Sequence, residues 1–380
     1  LSIFELVSAD ELGPEAEQSI IHPAELELSE TVQGVMKQVQ ATKPKRVVFD
    51  SLSEMRLLAQ DPLRYRRQVL ALKHFFAHHG CTVLMLDDLS ARTGDMQLRS
   101  IAHGVVWLHQ VVGEYGADKR FLRVAKMRGI RFRSGEHDFT LDTGGIQVFP
   151  RLVAAEHHKV FNAESVSTGN AALDTALGGG LARGSNTLFV GPSGVGKTTT
   201  ALSCIYTALG RGEKAAYYLF DEGLGTLLPR ANALGYHLED QIQRGDFLIS
   251  ALDPAEVTAG EFAARVRQAV EVDGVKAVVI DSLNAYLQAM PGSKFLLLQM
   301  HELLTYLNQR GIITILVLGQ HGVLGEGRQD IDLSYLSDAV VMFRYFEGRG
   351  NLLKALSVTK SRTSQHATTI HEFRLGANGV

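Results

Sequence analysis

Asn186-Thr187-Leu188-Phe189-Val190-Gly191-Pro192-Ser193-Gly194-Val195-Gly196-Lys197-Thr198-Thr199-Thr200-Ala201 is the stretch on which the reading of this chain turns. An apolar run, a loop matching G-x-x-x-x-G-K-[ST] from Gly191 to Thr198, and a helix-forming continuation describe strand, glycine-rich turn and helix. Glycine lets backbone N–H groups turn inward around phosphate oxygens, and the helix N-terminus adds partial positive charge at the same point. Gly191, Ser193, Gly194, Val195, Gly196, Lys197, Thr198 and Thr199 are therefore the candidate cradle for ATP. Lys197 is placed to reach the outer phosphates and the Thr198 hydroxyl to ligate Mg²⁺. The competing reading, a purely structural glycine-rich turn, does not need both flanks to be correct.

Working outward, Asp281 closes the apolar run Val275 to Ile280. A carboxylate at the C-terminal edge of the sheet, on a strand neighbouring the P-loop strand, would face the metal of a bound nucleotide. Helix capping is the alternative for such an aspartate. Asp221 and Glu222 follow the run Ala215 to Phe220 at the same edge, so one of them can deprotonate or orient an attacking group. Glu222 is the expected base and capping before Leu227-Leu228 the alternative. Gln320-His321, after Ile312 to Gly319, reads as a γ-phosphate sensor or as a plain turn.

The chain also repeats itself. Arg46 to Leu52 (RVVFDSL) returns as Ala277 to Leu283 (AVVIDSL), Ala102 to Leu108 as Ser337 to Phe343, Val124 to Arg128 as Val358 to Arg362, and Thr143 to Ile146 as Ala377 to Val380. The order is kept and the offsets stay between 231 and 235 positions. Two copies of one unit follow, residues 1–155 and 156–380, joined across the polar stretch Arg151 to Glu164. Each alternates Val/Ile/Leu-rich runs with amphipathic segments such as Val69 to Phe76 and Leu296 to Leu307, the α/β pattern of a buried, mainly parallel sheet. Nothing before Leu1 answers to Ser165 to Gly245, so the first copy is expected to lack its P-loop third and the second its C-terminal end. Asp50, the partner of Asp281, stays open between a nucleotide role and a structural one.

Composition narrows the class. The chain has 380 residues, 45% of them hydrophobic, and a net charge of −3, which fits folded domains and gives no overall pull toward nucleic acid. Cys81 and Cys204 have neither zinc-ligand nor disulfide-framework spacing, which favours a reducing, cytoplasmic setting. No apolar run approaches the ~20 residues of a membrane span. His74, His78 and His79 read as a solvated helix face, not a metal site. Lys119 to Arg133 is densely basic; a charged edge strand is one reading, and cations reaching a neighbouring subunit's γ-phosphate another. Its counterpart keeps Lys360 and Arg362.

Ser167-Thr168-Gly169, Leu173-Asp174, Leu177-Gly178-Gly179-Gly180-Leu181 and Gly184, leading into the P-loop, resemble the opening of RecA-superfamily ATPases of the KaiC family. The doubled unit, Lys126-Met127-Arg128-Gly129 and the acidic pair after the second strand are similar to that family as well. The resemblance implies two tandem RecA-like P-loop NTPase domains, a homo-oligomer in the form of a double-ring hexamer, and ATP held between subunits with Lys360 and Arg362 acting in trans. It implies, too, a protein partner in signalling and autokinase activity in the second copy, with Ser334 on the phosphoacceptor serine. The chain departs from the family where Tyr335 replaces the adjoining threonine, Asp221-Glu222 replaces two glutamates and Lys360-Ser361-Arg362 replaces Lys-Met-Arg. Two other classes compete: a RecA- or RadA-like DNA-dependent ATPase, which needs a basic, salt-sensitive channel, and a ring scaffold that nucleotide merely holds together.

Overall fold

A computed structural model of the chain describes residues 2–4, 23–59, 61–88, 96–113, 116–288, 293–320 and 334–376. Contacts divide it into two compact units, Leu1–Val105 with Ala125–Phe132, and Val106–Val124 with Arg133–Val380.

The first unit holds α1 (Pro23–Thr42), β1 (Arg46–Phe49), α2 (Leu52–Ala59), α3 (Pro62–His78), β2 (Thr82–Met85) and α4 (Met96–Ile101). Parallel β1 and β2 pair Arg46 with Thr82 through Phe49 with Met85. Asp61 starts α3 by accepting the Leu63 N–H at 3.1 Å, with Pro62 at the first helical position where a missing N–H costs nothing. The apolar stripe Tyr65, Val69, Leu72 and Phe76 then recurs at helical spacing and closes over Leu28, Val32, Phe49 and Met55. His74, His78 and His79 occupy the end of this helix, where the His79 ring lies against Phe75; among the described residues no cluster of metal-ligating side chains forms.

The strands β3 (Gly104–Val111), β4 (Lys119–Met127), β5 (His137–Asp142) and β6 (Gly145–Phe149) make a four-stranded sheet in that order. The chain continues through β7 (Ser165–Val166), α5 (Ala171–Ala176), β8 (Leu181–Ala182), β9 (Asn186–Gly191), α6 (Lys197–Gly210), β10 (Ala215–Leu219), α7 (Leu224–Ala233), α8 (Glu239–Gln243) and β11 (Phe247–Ala251). It ends with α9 (Ala259–Glu271), β12 (Ala277–Asp281), α10 (Leu283–Gln288), α11 (Ser293–Gln309), β13 (Ile313–Gly319), β14 (Ala339–Gly348), β15 (Asn351–Ser361) and β16 (His371–Phe373).

Eight of these strands form one sheet in the order β11-β10-β12-β13-β9-β14-β15-β16, parallel from β11 to β14 and antiparallel beyond. Side chains alternate between its faces, so Ala215, Tyr217 and Leu219 enter one apolar layer with Phe189, Val279 and Val317, while Ala216, Tyr218 and Phe220 enter the other with Val278, Ile280 and Leu316. Both faces are covered, which is why the strands read as unbroken apolar runs. Helix α6 covers the first face and α9, α10 and α11 the second.

The stretch between the repeats is docked on this second unit. Leu152 and Ala154 are buried in the layer with Phe262 and Leu303, the Ala154 N–H donates to Glu302, and His157 lies against Glu271 and the Tyr306 ring. Strand β5 reaches α9 as well, where Asp138 accepts the Gly260 N–H at 2.7 Å just inside a helix that Thr258 caps through the Glu261 N–H. The pairing of Thr143 to Ile146 with Ala377 to Val380 lies outside the described residues at its second member.

Candidate functional site

Strand β9 delivers Gly191 to the C-terminal edge of the sheet and α6 starts at Lys197, so the loop between them is held at both ends by buried structure. Gly194 and Gly196 carry φ of 74° and 122°, and a Cβ on Gly196 would lie 3.1 Å from Leu375 and 3.2 Å from Phe373. Side-chain-bearing residues rarely take that conformation, and here they would also lack room. Lys197 folds inside the loop: Nζ donates 2.8 Å to the Gly191 carbonyl and 2.8 Å to that of Pro192. Burial lowers its pKa from 10.5 to about 8, against the pull of the Asp281 and Asp221 carboxylates.

Asp281 lies at the same edge, but not on the adjoining strand. β13 comes between β12 and β9, which corrects the expectation of a neighbouring strand. The distance is bridged from above, because α6 lies over both β12 and β13 and its first turn brings the Thr198 hydroxyl to the Asp281 carboxylate. The Tyr217 hydroxyl, on the same face of the sheet, donates to Asp281 Oδ2 at 2.7 Å. Burial pushes the Asp281 carboxyl up and the nearby Asp221 charge adds to this, while Tyr217, Thr198 and Lys197 act the other way. Thr198 and Asp281 together offer hydroxyl and carboxylate oxygen, the hard donors suited to a Mg²⁺ that takes its remaining ligands from water and phosphate.

The acidic pair divides. Ser282 Oγ donates to Asp221, which thereby stays on the Lys197 side of the edge, whereas Glu222 Oε2 accepts from Arg230 at 2.7 Å. Neither caps the following helix, since α7 begins behind Gly223 with no side-chain cap. Gln320 follows β13 directly and its N–H donates to the Gly191 carbonyl at 3.0 Å, which puts it between the P-loop and Asp281. His321 lies outside the described residues.

Lys360 and Arg362 are at the far end of β15. Lys360 Nζ donates to the Ser337 carbonyl at 2.7 Å and Arg362 faces Asp338 Oδ1 at 3.8 Å. Ser334 opens the short 3-10 turn Ser334–Leu336 just before that carbonyl. In the basic stretch of the first copy, Lys126 donates to the Arg99 carbonyl, Arg128 to that of Ser100, and Arg133 pairs with Glu156. These cations are engaged within the chain, and Arg123 lies over the Trp107 ring.

Several contributors carry no motif. Asn284 clamps Gly319 by accepting its N–H at 2.7 Å and donating to its carbonyl, which fixes the strand end that carries Gln320. The β14–β15 hairpin brings Tyr345 and Lys354 onto the P-loop, where Tyr345 donates to the Ser193 carbonyl at 3.4 Å and Lys354 to the Gly194 carbonyl at 3.1 Å. Tyr217, Arg230 and Ser282 complete the set. The signal that could have found Tyr217 is a tyrosine inside an otherwise apolar buried strand, because a buried hydroxyl needs a partner.

The family model for the KaiC ATPase matches residues 3–153 and 166–380. The circadian clock oscillator protein KaiC of Parasynechococcus marenigrum is 26% identical over 363 residues, covering 93% of this chain and 69% of that protein. KaiC of Synechococcus elongatus is 24% identical over 363 residues, with 93% and 68% covered. The circadian clock protein KaiC3 of Synechocystis sp. is 23% identical over 374 residues, with 97% and 74% covered. No helix among the described residues is long and apolar enough to cross a membrane.

Proposed function

The chain belongs to the KaiC ATPase family, with two RecA-like P-loop folds in tandem, and from that premise we propose that its second copy binds ATP with Mg²⁺ and hydrolyses it. The observation that carries this is the convergence of Lys197, Thr198 and Asp281 at one sheet edge from three separate elements. The P-loop N–H groups hold the phosphates and Lys197 exchanges its carbonyl partners for phosphate oxygens. Thr198 and Asp281 would hold the metal, which when bound neutralises charge on the β- and γ-phosphates. Glu222 is the base: Arg230 occupies Oε2 and fixes the carboxylate, and Oε1 takes the proton of the attacking water. The water oxygen bonds to the γ-phosphorus as the bond to the bridging oxygen breaks and ADP leaves.

Lys360 and Arg362 act in trans on a neighbouring subunit's γ-phosphate in a homo-oligomer, a hexameric ring, and Ser334 is the candidate phosphoacceptor of an autokinase side reaction. The output is a signalling or timing ATPase with a protein partner. Support for these finer assignments is the family membership and the position of β15, whose cations follow a strand that also reaches the P-loop through Lys354.

Incubation with γ-labelled ATP and Mg²⁺ tests the reading. Released phosphate is expected from the unaltered chain and none from Lys197→Ala, with Glu222→Gln binding ATP but losing turnover by about 10²-fold or more. Label retained on the protein and lost in Ser334→Ala supports the autokinase. Equal phosphate release by all three chains would defeat the proposal.

A further inference from the structure

Tyr217 is a fully buried tyrosine in the middle of β10, on the face covered by α6. Its layer is otherwise Phe189, Leu219, Val279 and Val317, so phenylalanine or leucine would satisfy the packing alone. A phenol there has to be paid for by an acceptor, since a buried hydroxyl without one is destabilising.

The acceptor is set by register. Tyr217 stands opposite Val279 and Leu219 opposite Asp281, so the carboxylate lies on the same face, one residue pair further toward the sheet edge. With strands about 4.8 Å apart and about 3.3 Å of rise per residue, that diagonal is about 8 Å, which a tyrosine spans and a serine or threonine does not. The bond, 2.7 Å to Oδ2, reaches Asp281 from inside the core, while Thr198 reaches it from the start of α6. Two donors, one from the neighbouring strand and one from the helix over it, leave the carboxylate little freedom to rotate. Because Asp281 offers only acceptor oxygens when ionised, the phenol is the donor of this bond.

We propose that Tyr217 is a positioning residue that orients Asp281 for Mg²⁺, so that its hydroxyl sets the metal requirement of nucleotide binding without touching nucleotide or metal. This rests on the reading of Asp281 and Thr198 as the metal-facing pair. Partners that orient metal ligands typically change metal affinity about 10- to 100-fold when removed, and the low end suits a metal held largely through phosphate and water.

A fluorescent ATP analogue is titrated onto the full chain in excess chelator and again over a Mg²⁺ series. In Tyr217→Phe, affinity in chelator stays within about twofold of the unaltered chain, and the Mg²⁺ concentration for half-maximal enhancement rises about tenfold. Tyr218→Phe, which alters the tyrosine facing the other layer, leaves both quantities unchanged. Tyr217→Leu gives the same reading should the phenylalanine variant not fold. A Mg²⁺ midpoint within twofold of the unaltered chain overturns the inference if Thr198→Ala and Asp281→Asn do shift it. Should those two variants also leave it unmoved, the reading of the metal-facing pair has failed instead.

Discussion

Replacing Lys197 by methionine should change the stability of the nucleotide-free chain by an amount that depends on pH, most in favour of methionine at neutral pH and least in alkali. Burial takes the Lys197 pKa from 10.5 to about 8. At about 1.4 kcal/mol per tenfold in proton affinity, holding this ammonium charged costs the folded state about 3 kcal/mol. The unfolded chain keeps its proton up to the ordinary lysine value, whereas the folded chain releases it near pH 8. Between those limits the unfolded state binds more protons, so stability rises with pH, and below pH 8 the full cost applies. Methionine fills the same space without a charge to desolvate, and its loss of the bonds to the Gly191 and Pro192 carbonyls is a constant offset that leaves the pH dependence intact. Urea unfolding of both chains without nucleotide, from pH 7 to 10.5, isolates the effect because titrating groups that do not interact with Lys197 cancel in the difference. That difference should move by about 3 kcal/mol in favour of the lysine chain as pH rises. With Mg²⁺ and ATP present the lysine chain should be the more stable one throughout, because ligand bound only by the folded state adds to its stability. A difference flat to within about 1 kcal/mol across the series would refute the burial argument.

Gly196→Ala should destabilise by about 1–3 kcal/mol and weaken nucleotide binding, because φ of 122° and the nearness of Leu375 and Phe373 both oppose a Cβ; thermal melting reads it against Gly210→Ala, whose added Cβ meets nothing within 4 Å and should leave the melting point unchanged or higher. Asp138→Asn should be more stable than the unaltered chain at pH 8, because burial raises this carboxyl and its ionised form is the disfavoured one, while the amide oxygen still accepts the Gly260 N–H. The folded state holds that proton to higher pH than the unfolded one, so the advantage should shrink as pH falls toward the ordinary value of 3.8; a melting-point gap that does not change with pH would contradict it.

The parts of the site that could be read from sequence are those in which one local segment carries the whole geometry. Gly191 to Thr198 is such a segment, since strand, turn and helix are consecutive and the turn's conformation is written in its glycines. Asp281 was legible as a strand-end carboxylate, but its strand's place was not. The insertion of β13 between β12 and β9 depends on how helices cross the sheet, and no single segment encodes it. Tyr345 and Lys354 meet a loop some 150 to 160 positions away, and Leu152 and Ala154 are only two apolar side chains in a polar stretch, so neither case leaves a periodic signal. The division of Asp221 from Glu222 turned on Ser282 and Arg230, which only the folded edge brings to them.

The repeat separates the two cations proposed to act in trans. Lys126 holds the Arg99 carbonyl in the first copy and Lys360 the Ser337 carbonyl in the second, so each lysine donates to a carbonyl at most a few residues before the strand that its own strand follows. By the repeat Ser337 answers to Ala102 and not to Arg99, so the two lysines make related but not identical bonds, one in a copy whose P-loop is not in this sequence and one in a copy whose P-loop is complete. A tie kept under both conditions belongs to the architecture of the unit: the lysine holds its strand to the connection that precedes the neighbouring strand, at helix α4 in the first copy and just after the turn Ser334–Leu336 in the second. Arg362 differs, being more exposed and facing Asp338 at 3.8 Å without a close bond, so it can leave that position at little cost. Of the two, Arg362 is therefore the better candidate for the trans role proposed above, while Lys360 is held to the carbonyl that follows the turn Ser334–Leu336.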